Sequence, residues 1–251
     1  MTGRAGLSTA AQAWVVPPRL PALAGDEVHV WQVGLDAPAD RVAWLRGHLS
    51  ADEAERADRF HFDIDRARYI VAHGALRILL AGYLGTDRYP DPFQAGPAGK
   101  PALREGAGPR FNLAHSRQMG LVALAASREI GVDVEAIDRD IEIEQIADRF
   151  FSGSEFRALL ALPVGRRRHG FFHIWSQKEA YLKGRGEGVV GGLDHFDVEA
   201  HPERPARLLA DRRNLDATRR WFLDSLTPGQ GFRAALAVEG ESRQIRCFAW
   251  R

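Results

Sequence analysis

Apolar and polar positions change period several times along the chain, and each change marks an element. From Glu27 to Leu35 (EVHVWQVGL) the two classes alternate, with Val28, Val30 and Gln32 on one side and His29, Trp31 and Val33 on the other, which predicts a strand. Ser50 and Glu53 have the spacing of a capping box and predict a short charged helix ending near Phe60. Tyr69, Ala72, Leu76, Leu79, Leu80 and Tyr83 recur at helical spacing between Asp65 and Leu84, and Gly85 is the stop signal. Tyr89 to Pro109 is rich in Pro and Gly and predicts a loop, followed by a strand-to-turn segment at Asn112, His115 and Ser116 and the apolar run MGLVALAAS. Ile143 to Phe151 is helical, and a second capping box at Ser152 and Glu155 opens a helix running to about Leu162. Phe171, Phe172, Trp175 and Leu182 form an apolar stripe on a further helix that Gly184, Gly186 and Gly188 end. The pieces FDVEA, RRWFLDSL, FRAALAVE and IRCFAW after residue 195 predict a second sheet. Residues 1–24, with Pro17, Pro18 and Pro21 and no period, read as an extended or partly ordered arm.

Two acidic stretches carry the candidate chemistry. In GVDVEAIDR (Gly131 to Arg139), Val132, Asp133, Val134 and Glu135 alternate, so a strand there has one core face and one acidic face. In WSQKEAYLKGRGEG (Trp175 to Gly188), Glu179 and Lys183 are four apart on a helix and therefore neighbours. Taken singly, the first reads as a solvated sheet face and the second as a surface ion pair. Taken together, three carboxylates facing one pocket repel one another unless a hard divalent ion sits among them. Mg²⁺ suits such oxygen ligands and shares its shell with water and phosphate, which points to Mg²⁺-assisted phosphoryl chemistry. The three glycines after the helix do not follow a strand and so make no dinucleotide fingerprint.

Composition narrows the setting. The chain has 251 residues, 45% hydrophobic and 27% charged, as in a folded globular protein, and its length admits one domain or two half-sized ones. A net charge of +1 supplies no basic field for nucleic acid. The single cysteine, Cys247, excludes an intrachain disulfide, and no Cys/His cluster has zinc spacing. With no stretch long enough to span a membrane, the chain reads as cytoplasmic. Of 34 basic residues only three are lysine, namely Lys100, Lys178 and Lys183, and Lys178 and Lys183 flank Glu179. Lysine is a compact cation with rotatable donors where arginine is a planar fork, so these positions are candidates for chemistry, with Lys178 as the one that could be structural.

These stretches resemble the signature of the 4'-phosphopantetheinyl transferases of the long, surfactin-synthetase type: GVDVE, then FSGSEFRAL, then WSQKEAYLKGRGEG, preceded by GKPAL (Gly99 to Leu103) and FNLAHS (Phe111 to Ser116). The resemblance implies an α+β fold of two similar halves related by a pseudo-twofold, residues 1–127 and 128–251, with the site in the cleft between them. It implies transfer of 4'-phosphopantetheine from coenzyme A to a serine of an acyl or peptidyl carrier protein, with release of adenosine 3',5'-bisphosphate. Asp133, Glu135 and Glu179 are then the Mg²⁺ ligands. Glu135 or Glu179 accepts the serine proton, and Lys183 meets the leaving phosphate. Arg56, Arg68, Lys100 and His115 join Lys183 in holding coenzyme A. Ala114 stands where the family usually has a hydroxyl residue, which removes one expected coenzyme A contact. The basic run Arg166 to Arg168 is expected to steer an acidic carrier. The enzyme is expected to act as a monomer, with no nucleic acid or membrane partner. Two other readings share the residues: a different Mg²⁺-dependent phosphoesterase or nucleotidyl transferase, and a noncatalytic coenzyme A-binding or carrier-docking module.

Overall fold

The computed structural model describes residues 13–96, 99–104, 108–188, 192–240 and 244–251. The first twelve residues of the expected arm, and residues 97–98 and 105–107 of the expected loop, lie outside them. The chain is α+β. In order it runs β1 (Glu27–Gly34), α1 (Ala39–Arg46), α2 (Ala51–Asp58), α3 (Asp63–Leu84), β2 (Gln94–Ala95), β3 (Pro101–Ala102), β4 (Arg110–Ser116), β5 (Met119–Ala125) and β6 (Ile130–Ala136). It continues through α4 (Ile143–Phe150), α5 (Gly153–Ala161), α6 (Val164–Arg185), β7 (Phe196–Val198), β8 (Leu208–Asp211), α7 (Ala217–Arg220), β9 (Trp221–Leu226), β10 (Phe232–Glu239) and β11 (Gln244–Trp250).

Packing follows the alternation within the strands. One sheet has the order β11-β1-β5-β4 and a second β6-β10-β9, with two small hairpins, β2-β3 and β7-β8, beside them. Trp31, Val33, Val122 and Leu124 pack under α1 and α3, whereas Val28, Val30, Leu121 and Ala123 on the opposite face meet Val132, Val134, Leu236 and Val238 of the second sheet. The far side of that second sheet, with Ala235, Ala237 and Leu223, packs against Phe172, Ala180 and Tyr181 of α6. The result is four layers, helix, sheet, sheet, helix, with each sheet buried on both faces. Among the described residues no helix is long and apolar enough to cross a membrane.

The carboxy-terminal strand corrects one expectation. IRCFAW belongs to β11, which pairs in parallel with β1 (Val30 opposite Cys247), so it completes the first sheet and not the second. Val15 of the arm bridges the outer edge of β11 by hydrogen bonds to Cys247 and from Ala249.

Both capping boxes form, at Ser50/Glu53 and Ser152/Glu155. The first also anchors α2 to α3, because Glu53 accepts from Arg77 Nε at 2.5 Å and from His73 Nδ1 at 3.0 Å inside the protein. Arg77 in turn donates to the carbonyls of Tyr89 and Asp91 and fixes the start of the loop. Burial pushes the Glu53 carboxyl up, but the bonds from His73 and Arg77 outweigh it and hold the pKa at about 2. A carboxylate depressed below its unfolded value of 4.5 contributes stability that is complete above that pH and lost as pH falls from 4.5 towards 2. Glu53→Gln, which strands a buried guanidinium, is expected to lower stability at pH 7 by about 3–5 kcal/mol. Denaturant titrations of variant and parent should converge as pH is lowered through that window; a constant gap would refute the pairing.

Candidate active site

The site is built where β4 meets β6. These two strands share no backbone ladder, so side chains close the seam: Asn112 Oδ1 accepts from the Val132 amide at 2.8 Å, and Ser116 Oγ accepts from the Ala136 amide at 3.1 Å. On β6, Gly131, Asp133 and Glu135 share one face, and α6 lies directly over it. All seven residues of β6 are buried, so the acidic face is not solvated. Gly131 makes the close approach possible, since a Cβ there would fall on the Ala180 carbonyl oxygen and the Gly184 amide of α6. Glu179 immediately precedes Ala180, and Lys183 immediately precedes Gly184.

The carboxylates are held unequally. Asp133 Oδ1 takes Lys183 Nζ at 2.6 Å, so the ammonium reaches across to the strand and not to Glu179 on its own helix. Glu135 accepts at Oε2 from Arg139 at 2.8 Å and from Ser116 Oγ at 3.1 Å. Asp133 Oδ2 and Glu179 Oε1 are buried and have no partner among the described residues. Burial, then the charges of Asp133 and Glu135, push Glu179 up to about 7 against the pull of Lys183. Burial and Asp133 likewise raise Glu135, opposed by Arg139. For Lys183, burial lowers the pKa, and Asp133, Glu179 and Glu135 together more than reverse it, so it is raised. Acids driven up and a lysine held charged describe a pocket with surplus negative charge. The oxygens do not yet converge: among the described residues no group of three or more His, Cys, Asp or Glu is arranged to hold a metal ion. The donor set nevertheless fits a hard divalent cation, with two buried oxygens free and a third carboxylate beside them.

The remaining expected residues lie around this centre. His115 is exposed at the cleft mouth, where the enclosing walls and then His73, Lys183 and Arg56 hold its pKa below the ordinary value. Arg56 is exposed and lies over the Tyr69 ring at 5.7 Å, while Arg68 is paired with Asp36 at 2.8 Å. Lys100 donates to Glu129 at 2.7 Å, to the Gly184 carbonyl at 2.8 Å and to the Ile130 carbonyl at 3.0 Å, which uses its three donors to pin the loop against β6 and α6. It also lines a cavity of 1090 Å³ together with Arg110, Phe111 and Arg185. Ala114 is packed in the core between the sheets.

Other arginines prove to be scaffolding. Arg167 donates to Glu144 and to the carbonyls of Leu160 and Leu162, and Arg168 donates to the carbonyls of Ile137 and Arg139. Arg166 pairs with Glu203 at 2.5 Å. The basic run thus holds loops and an ion pair, with Arg166 exposed. Lys178 is wholly buried, bonded to Glu155 at 2.8 Å and to the carbonyls of Leu193 and Phe196 at 2.7 Å each. Sequence reasoning passed over Arg139, Ser116 as a partner of Glu135, and Gly131. Only the last left a signal, a glycine inside a strand pattern.

Comparison with known proteins agrees with this arrangement. A profile described as the 4'-phosphopantetheinyl transferase superfamily matches residues 129–237. The 4'-phosphopantetheinyl transferase HetI of Nostoc sp. (strain PCC 7120) is 36% identical over 230 residues, spanning 90% of this chain and 94% of the relative. The chain belongs to the 4'-phosphopantetheinyl transferase superfamily. The 4'-phosphopantetheinyl transferase Sfp of Bacillus subtilis (strain 168) is 31% identical over 155 residues, 62% of this chain and 68% of the relative. The 4'-phosphopantetheinyl transferase psf-1 of Bacillus pumilus is 32% identical over 168 residues, 67% and 71% of the two. The chain is therefore an enzyme of this class, and the phosphoesterase and noncatalytic readings give way to it.

Proposed function

We propose that this transferase moves 4'-phosphopantetheine from coenzyme A to a serine of an acyl or peptidyl carrier protein, with Mg²⁺ held by Asp133, Glu135 and Glu179. The observation that carries this reading is the pair of buried, unpartnered oxygens, Asp133 Oδ2 and Glu179 Oε1, beside the charged Lys183. Bound Mg²⁺ supplies charge neutralisation at the pyrophosphate. The serine oxygen attacks the β-phosphorus, its proton passes to Glu135 or Glu179 directly or through water, and the bond to adenosine 3',5'-bisphosphate breaks. Lys183 meets the charge on the departing phosphate. Arg56 of α2 supplies a cationic contact and His115, its pKa held low, a hydrogen-bonding imidazole at the cleft mouth. Lys100 and Arg68 add theirs on exchanging their present protein partners, and the cavity beside Lys100 has room for the nucleotide end.

In this reading residues 1–127 hold coenzyme A, residues 128–251 hold the metal, and the halves are related by a pseudo-twofold with the seam of β4 and β6 between them. Sheets facing each other with a long helix outside each are consistent with that symmetry, although β11 crosses back to pair with β1. The enzyme acts as a monomer in the cytoplasm, where its lone buried Cys247 stays reduced.

The test is the mass of an apo-carrier after incubation with the protein, coenzyme A and Mg²⁺. The carrier should gain one phosphopantetheine group, EDTA should prevent it, and Asp133→Ala should lower the rate on the order of 10²-fold or more with the fold retained. Consumption of coenzyme A with no change in the carrier would overturn the reading, as would an undiminished rate in EDTA.

A further inference from the structure

The turn between β4 and β5 contains an anomaly. Ser116 pairs with Met119, so Arg117 and Gln118 form a two-residue hairpin loop. Arg117 has φ +50°, the one non-glycine residue at positive φ among the described residues. Positive φ at the first loop position alone is the pattern of a type II′ turn, and that position is normally glycine because a side chain there is strained. Such strain persists where surrounding structure enforces it, and it concentrates at functional sites.

One ion pair accompanies it here. Arg117 Nη1 pairs with Asp138 at 3.1 Å, tying the turn that follows His115 to the segment that follows Glu135. The two segments wall an open pocket of 540 Å³ lined by His115, Ser116, Arg117, Glu135, Arg139 and Asp140. Glu135 is at its inner end, and Arg117 is 47% exposed at its rim. The other flanks of the site are accounted for. The end of β6 nearest Ile130 is occupied by Lys100, bonded to Glu129, Ile130 and Gly184 and assigned above to the nucleotide end. Beside His115 stand Arg56 of α2 and Lys183 of α6, cations suited to phosphate. A protein acceptor needs an open wall within reach of Glu135, and this pocket supplies it.

We propose that Arg117 is a specificity-determining contact for the carrier protein, held in a strained turn so that its guanidinium stands at the acceptor mouth. The proposal rests on the reading of the enzyme as a carrier-modifying transferase. A guanidinium there offers several donors in a fixed fork to carboxylates and carbonyls of the segment bearing the acceptor serine. Glycine at this position would suit the backbone better and lose the contact.

The experiment compares the parent with Arg117→Gly and Arg117→Lys. Carrier binding is measured with a carrier whose acceptor serine is changed to alanine, together with the Kd for coenzyme A and the Tm. For Arg117→Gly the carrier Kd should rise about tenfold, the scale of one charge-assisted hydrogen bond at an interface. Coenzyme A affinity should change much less than carrier affinity, because His115 is the one proposed nucleotide contact that borders this pocket, and Tm should be unchanged or raised as strain is relieved. Arg117→Lys, which keeps the charge but not the planar fork, should recover only part of the carrier affinity. If Arg117→Gly binds the carrier like the parent, Arg117 is only a strained turn residue and the proposal is overturned. If the parent itself binds no carrier, the functional reading falls and takes this proposal with it.

Discussion

Replacing Gly131 by alanine is expected to disable the enzyme by moving a helix, without touching any group that meets substrate. The added methyl would lie against the Ala180 carbonyl oxygen and the Gly184 amide, both backbone atoms of α6, so no side chain can turn aside to admit it. Either the helix lifts off β6 or the strand shifts. Glu179 and Lys183 sit within one turn of that contact and would be carried away from Asp133, whose bond to Lys183 is 2.6 Å long. Misplacement by about 1 Å in a site of this kind costs on the order of 10²-fold in rate, and overpacking of about 1–3 kcal/mol should lower Tm by several degrees. Gly184→Ala is the comparison. Its added methyl would meet the Trp221 ring, 2.6 Å away, and a ring can shift, so the loss of activity should be smaller. Rates of carrier modification and melting curves for both variants decide the matter. A Gly131→Ala enzyme as active as the parent would mean that α6 does not need its present depth to place Glu179 and Lys183.

The contact at Gly131 also shows where sequence stops informing structure. The period-two pattern of β6 correctly separated an apolar face from an acidic one, and it cannot say what covers each. The acidic face is buried under α6, which is why Asp133 and Glu179 meet although they are 46 residues apart in the chain. Helices with strong end signals were legible: α2 and α5 begin at capping boxes, and α3 and α6 end at Gly85 and Gly186, both in the left-handed conformation. Helix α1 was not, because it follows Pro38 without a side-chain cap and buries only Leu45. The partner of β11 was hidden for a different reason. Its alternation marks a strand, but a parallel pairing with β1 more than 200 residues earlier leaves no local trace. The arginine run shows charge and not direction in the sequence; Arg167 and Arg168 also hold backbone carbonyls of neighbouring loops.

The two lysines that flank Glu179 should separate cleanly under the same substitution. Lys183 is partly exposed and has one bond, to Asp133, in the pocket that Glu179 and Glu135 make negative. Arginine would keep its charge but carry it farther out on a planar fork, so Lys183→Arg should fold normally, bind coenzyme A nearly as well, and lose on the order of 10²-fold in kcat. Lys178 differs in every respect that matters. Its ammonium is fully buried, its three donors go to Glu155 and two carbonyls, and it lies 4.1 Å from the centre of the Phe196 ring. A guanidinium is larger than that space and cannot reproduce the three bonds, so Lys178→Arg should destabilise the protein by about 1–3 kcal/mol through overpacking alone. Removing the charge with Lys178→Met should cost more, about 3–5 kcal/mol, because Glu155 is then buried without its cation. Measuring Tm, kcat and the Kd for coenzyme A on all three variants gives a pattern rather than a single value. Lys183 should move kcat and leave Tm alone, and Lys178 should move Tm first. If Lys183→Arg turns over like the parent, the lysine is an ion-pair partner for Asp133 and takes no part in transfer. If Lys178→Arg melts with the parent, the buried pair with Glu155 is not what holds β7 to α6.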